Sequence, residues 1–248
     1  LIAAKLISSQ NFFVKTERAT KITRRFGKNH SDWHFFHRSS NLEENVNAMK
    51  YKDFVPGMLL LFSFSLLSGQ PALLSQKEGG DLLYMIEEER LIHDILTSAS
   101  YNWDIRLFDR LAEAEQAHVD KLVDVACEFS WTIPVPYMVN RPGQYENKAI
   151  QDLYYDLCSR TEESVEEALL VSALVYELNI LDLDRRMLAT DQQDLQTVYA
   201  HFKRTSQNYL RSLVSHLRII GIEYQPVLLY PDEFDWIIQG EDGGKVGK

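Results

Sequence analysis

The sequence predicts an all-α protein built as a four-helix bundle with one long crossover. Three observations carry this. From Asp81 onward, apolar residues recur at steps of three and four with few breaks. The long helical stretches come in two pairs with short joins inside each pair. A proline-rich segment, WTIPVPYMVNRPGQYEN, separates the pairs and is too long for a tight turn.

In chain order, the spacing gives a first helix over 81–100 and a second over 105–130. The prolines that follow end the second helix, because their rings clash with the preceding turn and they lack the N–H a helix needs. No further helix is expected before a short one near 149–159. The third long helix runs within 161–189. Thr161 or Ser164 can cap it, and glutamates in its first turn suit the positive end of the helix dipole. The fourth spans 192–220 and stops at Gly221. YPDEFDWIIQ reads as a last short helix, and residues 240–248 as a flexible tail. The bundle therefore occupies 80–239.

The chain has 248 residues, enough for one good-sized core plus appendages. Its net charge of −10 is unevenly placed. Residues 1–52 carry ten Lys/Arg against four Asp/Glu, so the remainder is strongly acidic. Such a surface argues against nucleic acid as a partner, which needs a basic face. Residues 1–48 show no clean period and read as a poorly structured basic extension. Their His30, His34 and His37 lie in a loosely docked stretch. The stretch from Met49 to about residue 75 has the layout of a secretory signal peptide: a short basic end, an apolar run, then small and polar residues. No A-x-A cleavage site follows it. A membrane anchor through residues 54–69, or a core helix, is the alternative. If Met49 is the true start, the protein is exported or associated with the cell envelope; otherwise it is cytoplasmic. The two cysteines, Cys127 and Cys158, form no CxxC pair, which excludes a zinc ribbon or thioredoxin-type motif. They read as buried, unreactive thiols, or as one disulfide if the protein is exported.

The second helix poses the chemical question. Leu111, Ala114, Glu115, His118, Leu122 and Val125 share one face, so a carboxylate and an imidazole sit among leucines. A buried carboxylate is costly unless it is paired, hydrogen-bonded or bound to metal. In crossover bundles that bind two metals, one helix of each pair gives a Glu and the next gives Glu-x-x-His. The first helix offers Glu87, Glu88 and Glu89. Glu88 shares a stripe with Tyr84, Leu91 and Ile95 and is the expected inward residue, with Glu87 as the alternative and Glu89 on another face. Glu177 lies near Ala173, Leu174, Ile180 and Leu181 on the third helix and also points inward. Glu88, Glu115 and His118 are thus expected to converge, and their oxygens and nitrogen suit iron or manganese. The structural alternative is a buried Glu–His hydrogen bond.

The stretches EEERLIHDI, LAEAEQAHVDKL, LYYDLCSR with SVEEAL, LVYELNILDL and TSQNYLRSL resemble, in that order, an uncharacterised bacterial and archaeal ferritin-like family known as domain of unknown function 2202. The likeness runs from about Leu82 to about Ile237. It implies the ferritin-like fold and a two-metal centre, but no reaction, and members commonly look exported. Two departures stand out. The family's third helix reads Glu-Glu-x-Asp-Ile, whereas this chain has Tyr176-Glu177-Leu178-Asn179-Ile180. The fourth reads Ser-x-Asn-His-Leu-Arg, and here Tyr209 stands where a ligand histidine is expected. His201 and His216 lie two turns to either side and do not replace it. The metal set read from the sequence is therefore Glu88, Glu115, His118, Glu177 and Tyr209, holding one ion or two. Two functions follow. One is a di-iron or di-manganese oxidoreductase acting on oxygen, peroxide or ferrous iron. The other is a non-enzymatic bundle that holds a single metal, or serves as a structural or partner-binding module. Homo-oligomers are compatible with either.

Overall fold

The computed structural model describes residues 73–139 and 141–240. The expectations for residues 1–72 and for the tail beyond Gly240 lie outside them. Among the described residues the protein is all-helical: α1 Gln76–Asn102, α2 Arg106–Glu128, α3 Val135–Met138, α4 Lys148–Thr161, α5 Val165–Met187, α6 Gln193–Ile219 and α7 Pro231–Gln239. No helix among them is long and apolar enough to cross a membrane.

Helix ends follow local chemistry. α1 begins earlier than the spacing suggests because Ser75 and Glu78 form a reciprocal capping box. Gly79 within it serves packing: a Cβ there would lie 2.0 Å from the Trp131 ring. Asn147 caps α4 and Ser164 caps α5. α6 ends before Gly221, whose φ of +84° places it in the left-handed region that favours glycine. The proline-rich segment does contain helix, contrary to expectation. Pro136 sits in the first turn of α3, where its missing N–H would have no intrahelical partner anyway. The cysteines are free, and Cys127 is exposed rather than buried, on the outer side of α2.

α1 packs along α2, and α5 along α6, so the long helices form two hairpins joined through α4. α1 is the most enclosed, meeting α2, α4 and α5; α2 and α6 touch only lightly. This produces a helical bundle whose apolar core is split in two. One cluster gathers Leu91, Ile95, Phe108, Leu111, Leu174, Ile180, Leu210 and Leu213. The other gathers Leu82, Met85, Ile86, Leu122, Val125, Leu183, Tyr199 and Phe202. Between them each long helix contributes buried polar residues: Glu87 to Arg90, then Glu115 and His118, then Glu177, Asn179 and Asp182, and then Ser206.

Two glutamates of this layer fasten loops. Glu87 accepts the backbone N–H groups of Glu146 and Asn147, which brings the crossover to α4. Glu177 accepts Tyr224 Oη at 2.6 Å and the N–H groups of Val227, Leu228 and Leu229 at 3.0, 2.6 and 2.8 Å. Removing the Glu177 carboxylate strands several buried donors, each costing about 1–3 kcal/mol. Glu177→Ala is expected to lose more than about 3 kcal/mol of unfolding free energy, measured by urea denaturation, whereas Glu88→Gln loses far less.

Candidate metal centre

The middle of the polar layer is built on α2. Its inward stripe places Glu115 and His118 one turn apart, both buried. His118 Nδ1 lies 2.9 Å from Glu115 Oε2 and 3.4 Å from Glu89 Oε2 on α1. One ligand atom from each of Glu89, Glu115 and His118 falls within 4.8 Å of the others. Phe202 of α6 stacks on the imidazole, with ring centroids 4.0 Å apart and planes 18° from parallel, which fixes the ring's plane.

The remaining carboxylate oxygens are held from the opposite hairpin. Tyr176 Oη donates to Glu115 Oε1 at 2.6 Å, and Asn179 Nδ2 donates to Glu89 Oε1 at 3.1 Å. Ser206 Oγ donates in turn to Asn179 Oδ1 at 2.7 Å. The Tyr209 ring meets Tyr176 edge-on at 5.5 Å and completes this wall.

The electrostatics follow from burial and proximity. Burial works against the His118 charge, but hydrogen bonds to Glu115 and Glu89 outweigh it and push the imidazole up to about 10. Burial also raises Glu115, and the neighbouring Glu89 charge adds to this, bringing it to about 8. Glu89 resists its own burial through the His118 hydrogen bond and charge, and stays below the usual carboxylate range. The phenol of Tyr176 is driven far upward by burial and by Glu115. At neutral pH the imidazolium therefore lies between two carboxyl groups, with its positive charge where a cation would sit.

The sequence expectations fare unequally. Glu115 and His118 converge, but their third member is Glu89, not Glu88. The expectation assumed one inward face on α1, yet this helix is enclosed on several sides. Successive glutamates, 100° apart, each find a different interior neighbour. Glu88 is buried on the Asp182 and Arg186 side; both its oxygens lack a partner, and burial followed by the Asp182 charge raises it well above the usual range. The signal for Glu89 was a second stripe, Leu82, Ile86, Glu89 and Leu96. Glu177 points inward but is saturated by the 224–229 segment, so it stands apart from the group. Tyr209 lies at the edge of the centre, against the Tyr176 ring and within the field of Glu115.

An internal correspondence links the two hairpins. Glu87 and Glu89 on α1 stand two residues apart, as do Glu177 and Asn179 on α5. The first of each pair anchors a loop and the second faces mid-bundle. Glu115-x-x-His118 on α2 matches Ser206-x-x-Tyr209 on α6. One hairpin thus presents Glu, Glu and His; the other presents Asn, Ser and Tyr.

Comparison with known proteins agrees with this architecture. The profile of a family described as an uncharacterized protein domain, DUF2202, matches residues 78–241. The uncharacterized protein MJ0754 of Methanocaldococcus jannaschii is 31% identical over 179 residues, spanning 72% of this chain and 95% of that protein. The crystal structure of hypothetical protein MJ0754 from Methanococcus jannaschii superposes with a TM-score of 0.66 at 29% identity, covering 69% of this chain and 97% of the other. The chain belongs to the DUF2202 family.

His118 and Glu115 both bind their protons more tightly in the folded protein than their ordinary values of 6.5 and 4.5 allow. Their contribution is therefore full below those values and is lost as pH rises through about 8 and then about 10. The depressed Glu89 acts oppositely, contributing above its ordinary 4.5 and losing that as pH falls. The metal-free protein is expected to show a falling melting temperature between pH 7 and 10 in chelator-containing buffer. Glu115→Gln should remove the part near pH 8; a flat profile would contradict the assignment.

Proposed function

We propose that this member of the DUF2202 family is a ferritin-like metal-binding bundle whose Glu89, Glu115 and His118 hold one ion of iron or manganese. The observation that carries this is the convergence of two carboxylates and an imidazole within 4.8 Å in a buried layer between two apolar clusters. Hard oxygens plus one imidazole nitrogen suit these metals, and a bound cation would supply the positive charge that the His118 imidazolium now places between the two carboxyl groups. Phe202, Tyr176 and Asn179 supply the outer contacts that fix ligand orientation.

Charge and ligand type favour one ion. Glu89 and Glu115 together neutralise one divalent cation. A second would depend on Asn179, Ser206 and Tyr209, which bring no charge. Tyr176 and Tyr209 are both shifted upward by burial, so neither ionises readily to serve as a phenolate ligand. The reading that follows is a single-metal bundle that stores, senses or is stabilised by its ion. A two-metal oxidoreductase acting on oxygen, peroxide or ferrous iron is the second reading; the intact Glu-x-x-His favours it, and the neutral second hairpin opposes it.

Protein purified without a metal-affinity tag and loaded with manganese(II) or, anaerobically, iron(II) is expected to retain one equivalent by elemental analysis. Glu89→Gln or His118→Ala should weaken binding by at least about tenfold, while Glu88→Gln leaves it nearly unchanged. Affinity should rise with pH, because Glu115 and His118 must give up protons to bind. Two equivalents in the native protein, or dependence on Glu88 and not Glu89, would refute the reading.

The internal correspondence gives a second test. Asn179→Asp combined with Tyr209→His restores one carboxylate and one imidazole to the facing hairpin. The double variant is expected to move stoichiometry from one towards two in the same elemental analysis.

A further inference from the structure

The outer face of α6 carries a feature unrelated to the buried centre. Arg204, Arg211 and Arg218 recur at intervals of seven residues. Two turns of helix separate successive members, about 10 Å along the axis, and the rotation between them is small. They form a line of three guanidinium groups on one face, next to α7. Two adjoining hollows open along this line, with volumes of about 410 and 550 Å³. Arg204 and Arg211 border the first, Arg211 and Arg218 the second, and Asn208 is common to both. Trp236, about half exposed, and Gln239 complete the first hollow.

Among the described residues neither hollow has an acidic residue in its lining. The central arginine is the informative one. Arg211 donates from Nη2 to Asn208 Oδ1 at 2.8 Å, its Nε is buried without a hydrogen-bond partner, and it pairs with no carboxylate among the described residues. A guanidinium presents a planar fork of donors matched to two oxygens of one anion. The volumes fall in the range of small-molecule sites, and the largely polar lining with one exposed indole suits a charged ligand.

We propose that the α6–α7 groove is a binding site for a small oxyanion ligand, phosphate- or carboxylate-bearing, gripped by Arg211 with Arg218 beside it. The planar Trp236 ring at one end gives the ligand's non-ionic part a surface to lie on. The site lies on the outer side of the second hairpin and does not depend on metal at the buried centre.

The test uses the full chain, freed of metal by chelator and dialysed, so that anion–metal contacts do not enter. Inorganic phosphate and succinate are titrated separately by calorimetry at constant ionic strength, with Trp236 fluorescence followed in parallel. At least one probe is expected to bind with a sub-millimolar dissociation constant, and the stronger one identifies the anion class. Arg211→Ala should weaken it at least tenfold, and Trp236→Phe should abolish the fluorescence response while leaving the heat. Arg211→Lys and Arg218→Ala, which keep helix propensity, should weaken it to a lesser degree and serve if Arg211→Ala unfolds. The proposal is overturned if neither probe binds, if binding is indifferent to all the arginine variants, or if it appears only after residues 241–248 are deleted. The last outcome would assign the groove to the chain's own Glu241 and Asp242.

Discussion

Ion pairing in the middle of an apolar bundle is the constraint on which this structure rests. A layer holding Glu87 to Arg90, Glu115, His118, Glu177, Asn179 and Asp182 divides the core into two clusters. Taking a charge out of water costs several kcal/mol unless it is paired and hydrogen-bonded. Nearly every member of the layer has therefore acquired a specific partner, and those partners fix the register of the helices. Glu89 ties α1 to α2 through His118 and to α5 through Asn179. Tyr176 ties α5 to α2 through Glu115.

The same layer reaches outward to the loops. Glu87 and Glu177 satisfy backbone donors of the segments that follow each hairpin, so the crossover and the approach to α7 are held by carboxylates rooted in the core. Their equivalent placement on α1 and α5 gives the molecule an internal two-part plan. What differs between the parts is charge at the positions facing mid-bundle. One hairpin carries two acids and a histidine; the other answers with an amide, a hydroxyl and a phenol that donate or accept hydrogen bonds without adding charge. The neutral side thereby acts as a hydrogen-bonding cradle for the charged side. Glu88 is the exception in the layer, a buried carboxyl with unpartnered oxygens, and burial followed by the Asp182 charge raises it well above the usual carboxylate range.

Much of this was legible in the sequence where one helix buries one face. α2 and α6 are of that kind, and the stripe from Leu111 to Val125 placed Glu115 and His118 on the buried face. The long helices, their pairing and the stop at Gly221 followed from period and punctuation. The signals failed where a residue's role depends on a distant neighbour. The spacing starts the first helix at Asp81, whereas it begins at Gln76, with Gly79 packed under the Trp131 ring. Pro136 reads as the end of helix, although one turn tolerates it.

The sequence by itself determined that a buried acid and histidine needed partners, because their spacing on α2 and the cost of dehydrating charge are both local facts. Which acid answers was decided only by tertiary structure. α1 is surrounded by α2, α4 and α5, so the stripe that favoured Glu88 over Glu87 and Glu89 could not tell which of them meets His118. The packing sends Glu87 to the crossover, Glu88 towards Asp182 and Glu89 to His118. Glu177 was placed inward by its stripe, but only the folded chain showed that four donors from residues 224–229 already occupy its oxygens. A helix period gives the direction of a side chain about its own axis. The element that lies in that direction belongs to the three-dimensional arrangement of the whole.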